Sequence, residues 1–106
     1  MLVHTGWDRR WRTEAYQSGH PHLTGDSARL LAERGAALVG IDSHNIDDTA
    51  QRARPVHTIL LGAGIPIVEH LCNLGALPDD GFRFYAVPAK LKGCGSFPVR
   101  AFGLLA

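Results

Sequence analysis

The sequence is poor in cysteine: two of its 106 residues, Cys72 and Cys94, with no C-x-x-C pair. That argues against a disulfide scaffold or a zinc ribbon, and for two free thiols in a cytoplasmic protein. Long apolar runs are missing, so no segment is expected to span a bilayer. The opening Met1-Leu2-Val3-His4-Thr5-Gly6 has neither the basic start nor the apolar stretch of a secretory signal. An excess of one charge is missing too. Eleven Lys and Arg face ten Asp and Glu, a formal charge of +1, which argues against the basic footprint of a nucleic-acid binder. With 45% hydrophobic residues, the chain is not expected to be disordered. There is no internal repeat, no G-x-S-x-G elbow and no G-x-x-x-x-G-K-[ST] loop.

What the chain does have is histidine, six residues of it. Imidazole is the common metal ligand and the proton carrier near neutral pH. The length suits a single domain, residues 1–106, that buries a core without staples.

Hydrophobic spacing places the elements. Leu2 and Val3, then Thr5, read as a first strand. Gly6 to His22 is polar, is punctuated by Pro21 and reads as a long irregular segment. Thr24 caps a helix that carries Asp26 in its first turn, Ala28, Leu31 and Ala32 on one face, and Gly35 at its end. Ala36 to Ile41 is a short apolar run between Gly35 and Asp42, the pattern of a strand buried on both faces. A polar loop, Asp42 to Asp48, follows. Pro55 opens a second helix, to about Ala63, ended by Gly64. Ile65 to Val68 is a strand. Leu71, Leu74 and Leu77 suggest a helical turn. Phe82 to Val87 is a strand stopped by Pro88, Lys90 to Phe97 a loop, and Val99 to Leu105 a last strand. Alternating strands and helices make the class α/β, a mixed β-sheet with flanking helices.

His57 and Glu69 form the sharpest candidate pair. Glu69 follows a buried strand directly, where a carboxylate reaches a cleft in an α/β fold. Imidazole nitrogen and carboxylate oxygen suit zinc or manganese. Spacing alone also allows two unrelated surface residues, and a catalytic zinc normally takes three protein ligands. The loop Asp42-Ser43-His44-Asn45-Ile46-Asp47-Asp48 clusters carboxylates, a hydroxyl and an imidazole after a buried strand. It reads either as an active-site wall or as ordinary turn chemistry. A Ser43–His44–Asp47 triad lacks the elbow such a nucleophile needs. His20-Pro21-His22 resembles a metal pair, but the stiff proline favours a structural role. Trp7-Asp8-Arg9-Arg10-Trp11-Arg12 interleaves aromatics with Arg, a pattern of single-strand binders that Trp packing and Arg snorkelling explain equally well. Gly93-Cys94-Gly95-Ser96 lacks the lysine of a phosphate loop.

Taken together, these segments resemble the cyclase family of metal-dependent hydrolases, which includes the bacterial kynurenine formamidases. The matching stretches are Thr5-Gly6-Trp7-Asp8-Arg9 with Trp11, and Leu23-Thr24-Gly25 running into Ala28-Arg29-Leu30-Leu31-Ala32-Glu33-Arg34-Gly35. Val39-Gly40-Ile41-Asp42-Ser43 with Ile46-Asp47 matches, as do Val56-His57 with Leu60-Leu61, and Ile65 with Val68-Glu69. Asn73-Leu74 and Pro98-Val99-Arg100-Ala101 complete the pattern. The resemblance covers nearly the whole chain, but only the C-terminal half of a typical member. It implies the family's swivelling β/β/α-like fold in incomplete form, with one or two divalent metals, zinc or manganese, in the complete site. It implies hydrolysis of a small formamide or cyclic amide. His57 and Glu69, twelve residues apart, match two of the family's metal ligands. Asp42, Ser43 and Asp47 would order those ligands or wall the substrate loop. The family's upstream H-x-G-T-H-x-D-x-P-x-H motif, which holds the remaining ligands and the catalytic histidine, is absent from the 106 residues, so no catalytic residue is assigned. A homo-oligomer or a complementing chain is therefore expected. Neither nucleic acid nor a membrane is expected as a partner. The alternative is a non-catalytic binding or oligomerisation domain derived from the family.

Overall fold

The computed structural model describes residues 1–105. The chain divides into two compact units, Met1–Leu74 and Gly75–Ala106. Neither unit has a helix long and apolar enough to cross a membrane, among the described residues.

The first unit is built on three parallel strands, β1 (Leu2–Val3), β2 (Val39–Ile41) and β3 (Ile67–Val68), in the order β1-β2-β3. Leu2 pairs with Gly40, Val3 with Ile41, Val39 with Ile67 and Gly40 with Val68. Parallel strands need crossover connections. Helix α1 (Gly25–Glu33) lies on the first of these and α2 (Pro55–Gly62) on the second, and the two helices pack against each other. Val39 and Ile41 on β2 join Ala28 of α1, Val56 and Leu60 of α2, Ile46 and Ile65 in one buried core. Gly40 has no room for a side chain. A Cβ there would stand 2.7 Å from Leu71 Cδ1 and 2.8 Å from Leu2 Cδ2.

Both helices begin where the sequence places them. The Thr24 hydroxyl accepts from Ser27 N–H at 3.2 Å, and Ser27 Oγ accepts from Thr24 N–H at 2.9 Å, a reciprocal cap. Strands β2 and β3 are shorter than the apolar runs that announce them, because the helix ends claim the first residues of each run. Ala36 N–H donates to Leu31 O at 3.1 Å beside Gly35, whose φ of 72° only glycine adopts freely. Ile65 N–H donates likewise to Leu60 O at 2.9 Å. The irregular segment after β1 folds into two short 3-10 turns, Trp7–Arg10 and Glu14–Gln17, and buries Tyr16 and His20.

The second unit is an antiparallel hairpin of β4 (Phe82–Pro88) and β5 (Val99–Leu105), paired from Phe82–Leu105 to Pro88–Val99. Leu77 lies against Gly103, where a Cβ would stand 2.5 Å from Leu77 Cδ2. The α/β class holds, and the parallel and antiparallel pairings fall in separate sheets. Cys72 and Cys94 are free and exposed.

Candidate functional site

Helix α2 has no capping side chain of its own, because Arg54 stands at its N-cap and Pro55 at its first position. Its exposed N–H groups need an acceptor from elsewhere. Asp47, 2% exposed, supplies it from the loop after β2. One oxygen accepts from Val56 N–H at 2.9 Å and the other from His57 N–H at 2.9 Å. The second oxygen also accepts from the His57 ring at Nδ1, 2.7 Å away. Burial pushes the Asp47 carboxyl up. The His57 and Val56 backbone N–H groups and the His57 ring outweigh it and hold the group below the usual carboxylate range.

Asp47, an acceptor only, takes the Nδ1 proton of His57, and in the neutral ring Nε2 is then the free acceptor. Glu69 Oε1 stands 3.3 Å from that nitrogen, and Arg54 Nη2 lies 3.2 Å from it. Glu69 comes directly off β3, and its Oε1 is held by Ile46 N–H at 3.0 Å. Two donors on one tetrahedral zinc, each at roughly 2.1 Å, stand about 3.4 Å apart. The His57–Glu69 separation fits that edge, and the Asp47–His57 bond is the outer support that metal-binding histidines commonly have. In donor chemistry and spacing the pair therefore fits a divalent metal. Among the described residues, no group of three or more His, Cys, Asp or Glu converges as a metal cage. A cleft of about 300 Å³ opens beside the Asn45–Thr49 loop, with Asp47, Gln51, Arg52 and Arg54 on its wall; His57 and Glu69 do not line it.

The structure thus brings Asp47, His57 and Glu69 together. Asp42 and Ser43 are fully buried and bond elsewhere. Asp42 accepts from Thr5 N–H and Oγ1, both at 2.7 Å, and from Gly6 N–H at 2.9 Å, which fastens the end of β1. Ser43 Oγ donates to Pro21 O at 2.7 Å. No Ser43–His44–Asp47 relay forms, since Asp47 belongs to His57. His20, also buried, bonds Thr49 Oγ1 through Nε2 at 3.1 Å and sits with His22 at a ring separation of 6.1 Å. In the Trp7 to Arg12 stretch, Arg10 lies over the Trp7 ring at 4.7 Å, and Trp7 Nε1 donates to Tyr16 O at 2.9 Å.

Sequence reasoning missed two features. The first is Arg54 on His57, an i, i+3 pair visible in spacing alone. The second is a ring cluster beside Glu69. The His44 ring meets His20, His70 and Tyr16 edge-on at 5.3, 5.6 and 5.6 Å. Tyr16 O–H bonds His70 Nδ1 at 3.0 Å, and His70 holds a left-handed backbone with φ of 58°. Burial, then the His20 and His70 rings, lower the His44 pKa against an opposing pull from Glu69. Burial, then the Asp42, Asp8 and Glu69 carboxylates, push Tyr16 up to about 12. No sequence spacing joins residues 16, 20, 44 and 70; only the fold does.

Comparison with known proteins gives a consistent set of relatives. Residues 1–48 match the family model for a putative cyclase. A kynurenine formamidase of Bacillus cereus is 31% identical over 90 residues, 85% of this chain and 43% of that protein. A kynurenine formamidase of Polaromonas naphthalenivorans is 36% identical over 72 residues, 68% of this chain and 32% of that protein. A solved structure described as a potential metal-dependent hydrolase with cyclase activity superposes with a TM-score of 0.67. It is 35% identical and covers 76% of this chain and 39% of its own. The chain spans less than half the length of each of these three proteins.

Proposed function

Since the chain is kin to the cyclase family of metal-dependent hydrolases, we propose that it forms part of such an enzyme, one that hydrolyses the C–N bond of a formamide or a cyclic amide. One observation carries this reading. His57 Nε2 and Glu69 Oε1 lie side by side at 3.3 Å, each held by a second group. In this reading the two residues hold the metal. Asp47 keeps the Nδ1 proton of His57 and so keeps Nε2 a donor of electrons. Ile46 N–H orients Glu69. When bound, a divalent metal, zinc or manganese, supplies Lewis acidity toward a scissile carbonyl and toward water. Asp42 and Ser43 shape the loop from which Asp47 reaches the site.

No residue of this chain is assigned as the base, and the remaining ligands come from outside the 106 residues. The partner is a complementing chain or a further copy, in the cytoplasm, and the substrate is a small-molecule amide. A second reading is a non-catalytic domain derived from the same family. It is favoured by the two-donor character of the site, since no larger donor group converges among the described residues.

The test mixes the purified chain with a separately produced chain that carries the H-x-G-T-H-x-D motif. Metal content and N-formylkynurenine hydrolysis are then measured. Hydrolysis that needs both chains, and that is lost in His57→Ala, is the expected result. Absence of both metal and turnover with every complement contradicts it.

A further inference from the structure

Arg54 stands at the N-cap of α2, directly before Pro55 and three residues before His57. The position suits it poorly. Caps favour Ser, Thr, Asp, Asn or Gly, and a cation at a helix N-terminus faces the positive end of the helix dipole. The Arg54 side chain makes no capping bond. Such departures from local stability rules concentrate at functional sites.

The backbone of Arg54 is anchored and its side chain is exposed. Arg54 O accepts from Thr58 N–H at 3.0 Å and from Thr58 Oγ1 at 2.8 Å, so the first turn of α2 holds it. Among the described residues the guanidinium forms no ion pair with a carboxylate. Its Nη2 lies instead 3.2 Å from His57 Nε2. A guanidinium only donates. Nδ1–H of His57 donates to Asp47 at 2.7 Å, so in the neutral ring Nε2 accepts through its lone pair. A metal needs that same lone pair. Zinc on an imidazole nitrogen sits about 2.1 Å from it, which falls inside the space between Nε2 and Nη2. The Arg54 bond and a bound metal therefore exclude each other.

We propose that Arg54 guards the metal site: in the metal-free chain its guanidinium occupies the lone pair of His57 Nε2, and a divalent cation must displace it to bind. This inference rests on the reading of His57 and Glu69 as metal donors. Two further features agree with it. The first is charge. Asp47 and Glu69 stand 2.7 and 3.3 Å from the two ring nitrogens of His57, and the guanidinium offsets their charge until a cation does so; a cation in place then repels the guanidinium. The second is room. Arg54 already lines the cleft beside the Asn45–Thr49 loop, together with Gln51 and Arg52, so the side chain has space to leave while α2 stays in place. Arg52 shares that cleft and that charge but, among the described residues, makes no bond to His57. It separates the effect of the bond from the effect of charge alone.

The test titrates the full 106-residue chain with Zn²⁺ by calorimetry, as wild type, Arg54→Ala and Arg52→Ala, with and without a chain carrying the H-x-G-T-H-x-D motif. Nitrogen-15 NMR of the imidazoles in the metal-free proteins gives a second readout. Arg54→Ala should bind zinc about three- to tenfold tighter, the effect of removing one competing hydrogen bond. Arg52→Ala should change the affinity by under about twofold, as a screened surface charge does. Without metal, the His57 Nε2 signal should move in Arg54→Ala and stay in place in Arg52→Ala. Circular dichroism checks that both variants keep the fold. Zinc affinity that is equal or weaker in Arg54→Ala, equal tightening by both substitutions, or an Nε2 signal indifferent to Arg54 overturns the proposal and leaves the metal reading standing. Zinc bound by none of the proteins under either condition overturns both.

Discussion

Replacing Asp47 by Ala tests the geometry of the site without any ligand. The substitution removes the acceptor of three bonds: Val56 N–H, His57 N–H and His57 Nδ1. The first two are orphan donors of the α2 N-terminus, and the Val56 bond is buried. Loss of a cap costs about 1 to 2 kcal/mol, and a buried donor left unpaired about 1 to 3. The terms overlap, so the expected loss is about 3 kcal/mol, or roughly 12 to 24 °C in Tm for a chain of this size. Urea and thermal unfolding followed by circular dichroism measure it. Asp47→Asn keeps one acceptor oxygen and loses the charge near the helix N-terminus, so about half the loss is expected. A change under about 0.5 kcal/mol in Asp47→Ala is what a neutral surface substitution gives, and it would refute the capping role.

The same carboxylate sets an acid dependence. Its native pKa lies below the usual carboxylate range, so its stabilisation is full above the unfolded value and fades as pH falls through the native one. Wild-type chain should lose more stability than Asp47→Asn between neutral and acid pH; equal losses contradict the assignment. Gly40→Ala should cost about 1 to 3 kcal/mol, because the new methyl group meets Leu71 and Leu2 inside van der Waals distance; an unchanged urea midpoint would rule out that close approach. Tyr16→Phe should cost about 0.5 to 1.5 kcal/mol by removing the bond to His70. In the wild type, ultraviolet titration should show one tyrosine silent until about pH 12, and an earlier titration of both tyrosines contradicts the burial of Tyr16.

Much of the first unit is legible in the sequence, because local chemistry there agrees with the fold. Thr24 and Gly35 bracket α1, Pro55 opens α2, and the apolar runs mark β2 and β3. The strand starts were misplaced where a helix end borrows a strand residue, as at Ala36 and Ile65. His57 and Glu69 stand out in the sequence as a candidate pair, and the family resemblance is what links them. Nothing in a twelve-residue spacing says that α2 and the end of β3 face each other. The role of Asp47 was half legible: a polar loop after a buried strand suggested it, but long-range capping of α2 is a tertiary fact. The ring cluster of Tyr16, His20, His44 and His70 was not legible at all, since its members are far apart in the chain. Asp42 sits in a loop that reads either as an active-site wall or as turn chemistry, and its carboxylate accepts from Thr5 and Gly6, which fastens the end of β1.

The most direct measurement is calorimetric titration of the purified 106-residue chain with Zn²⁺, run alongside His57→Ala and Glu69→Gln. One equivalent should bind at a site that disappears in His57→Ala and weakens at least tenfold in Glu69→Gln. Zinc uptake that is identical in all three proteins, or absent from the wild type even when a chain carrying the H-x-G-T-H-x-D motif is added, would contradict the pairing of His57 and Glu69 as metal donors.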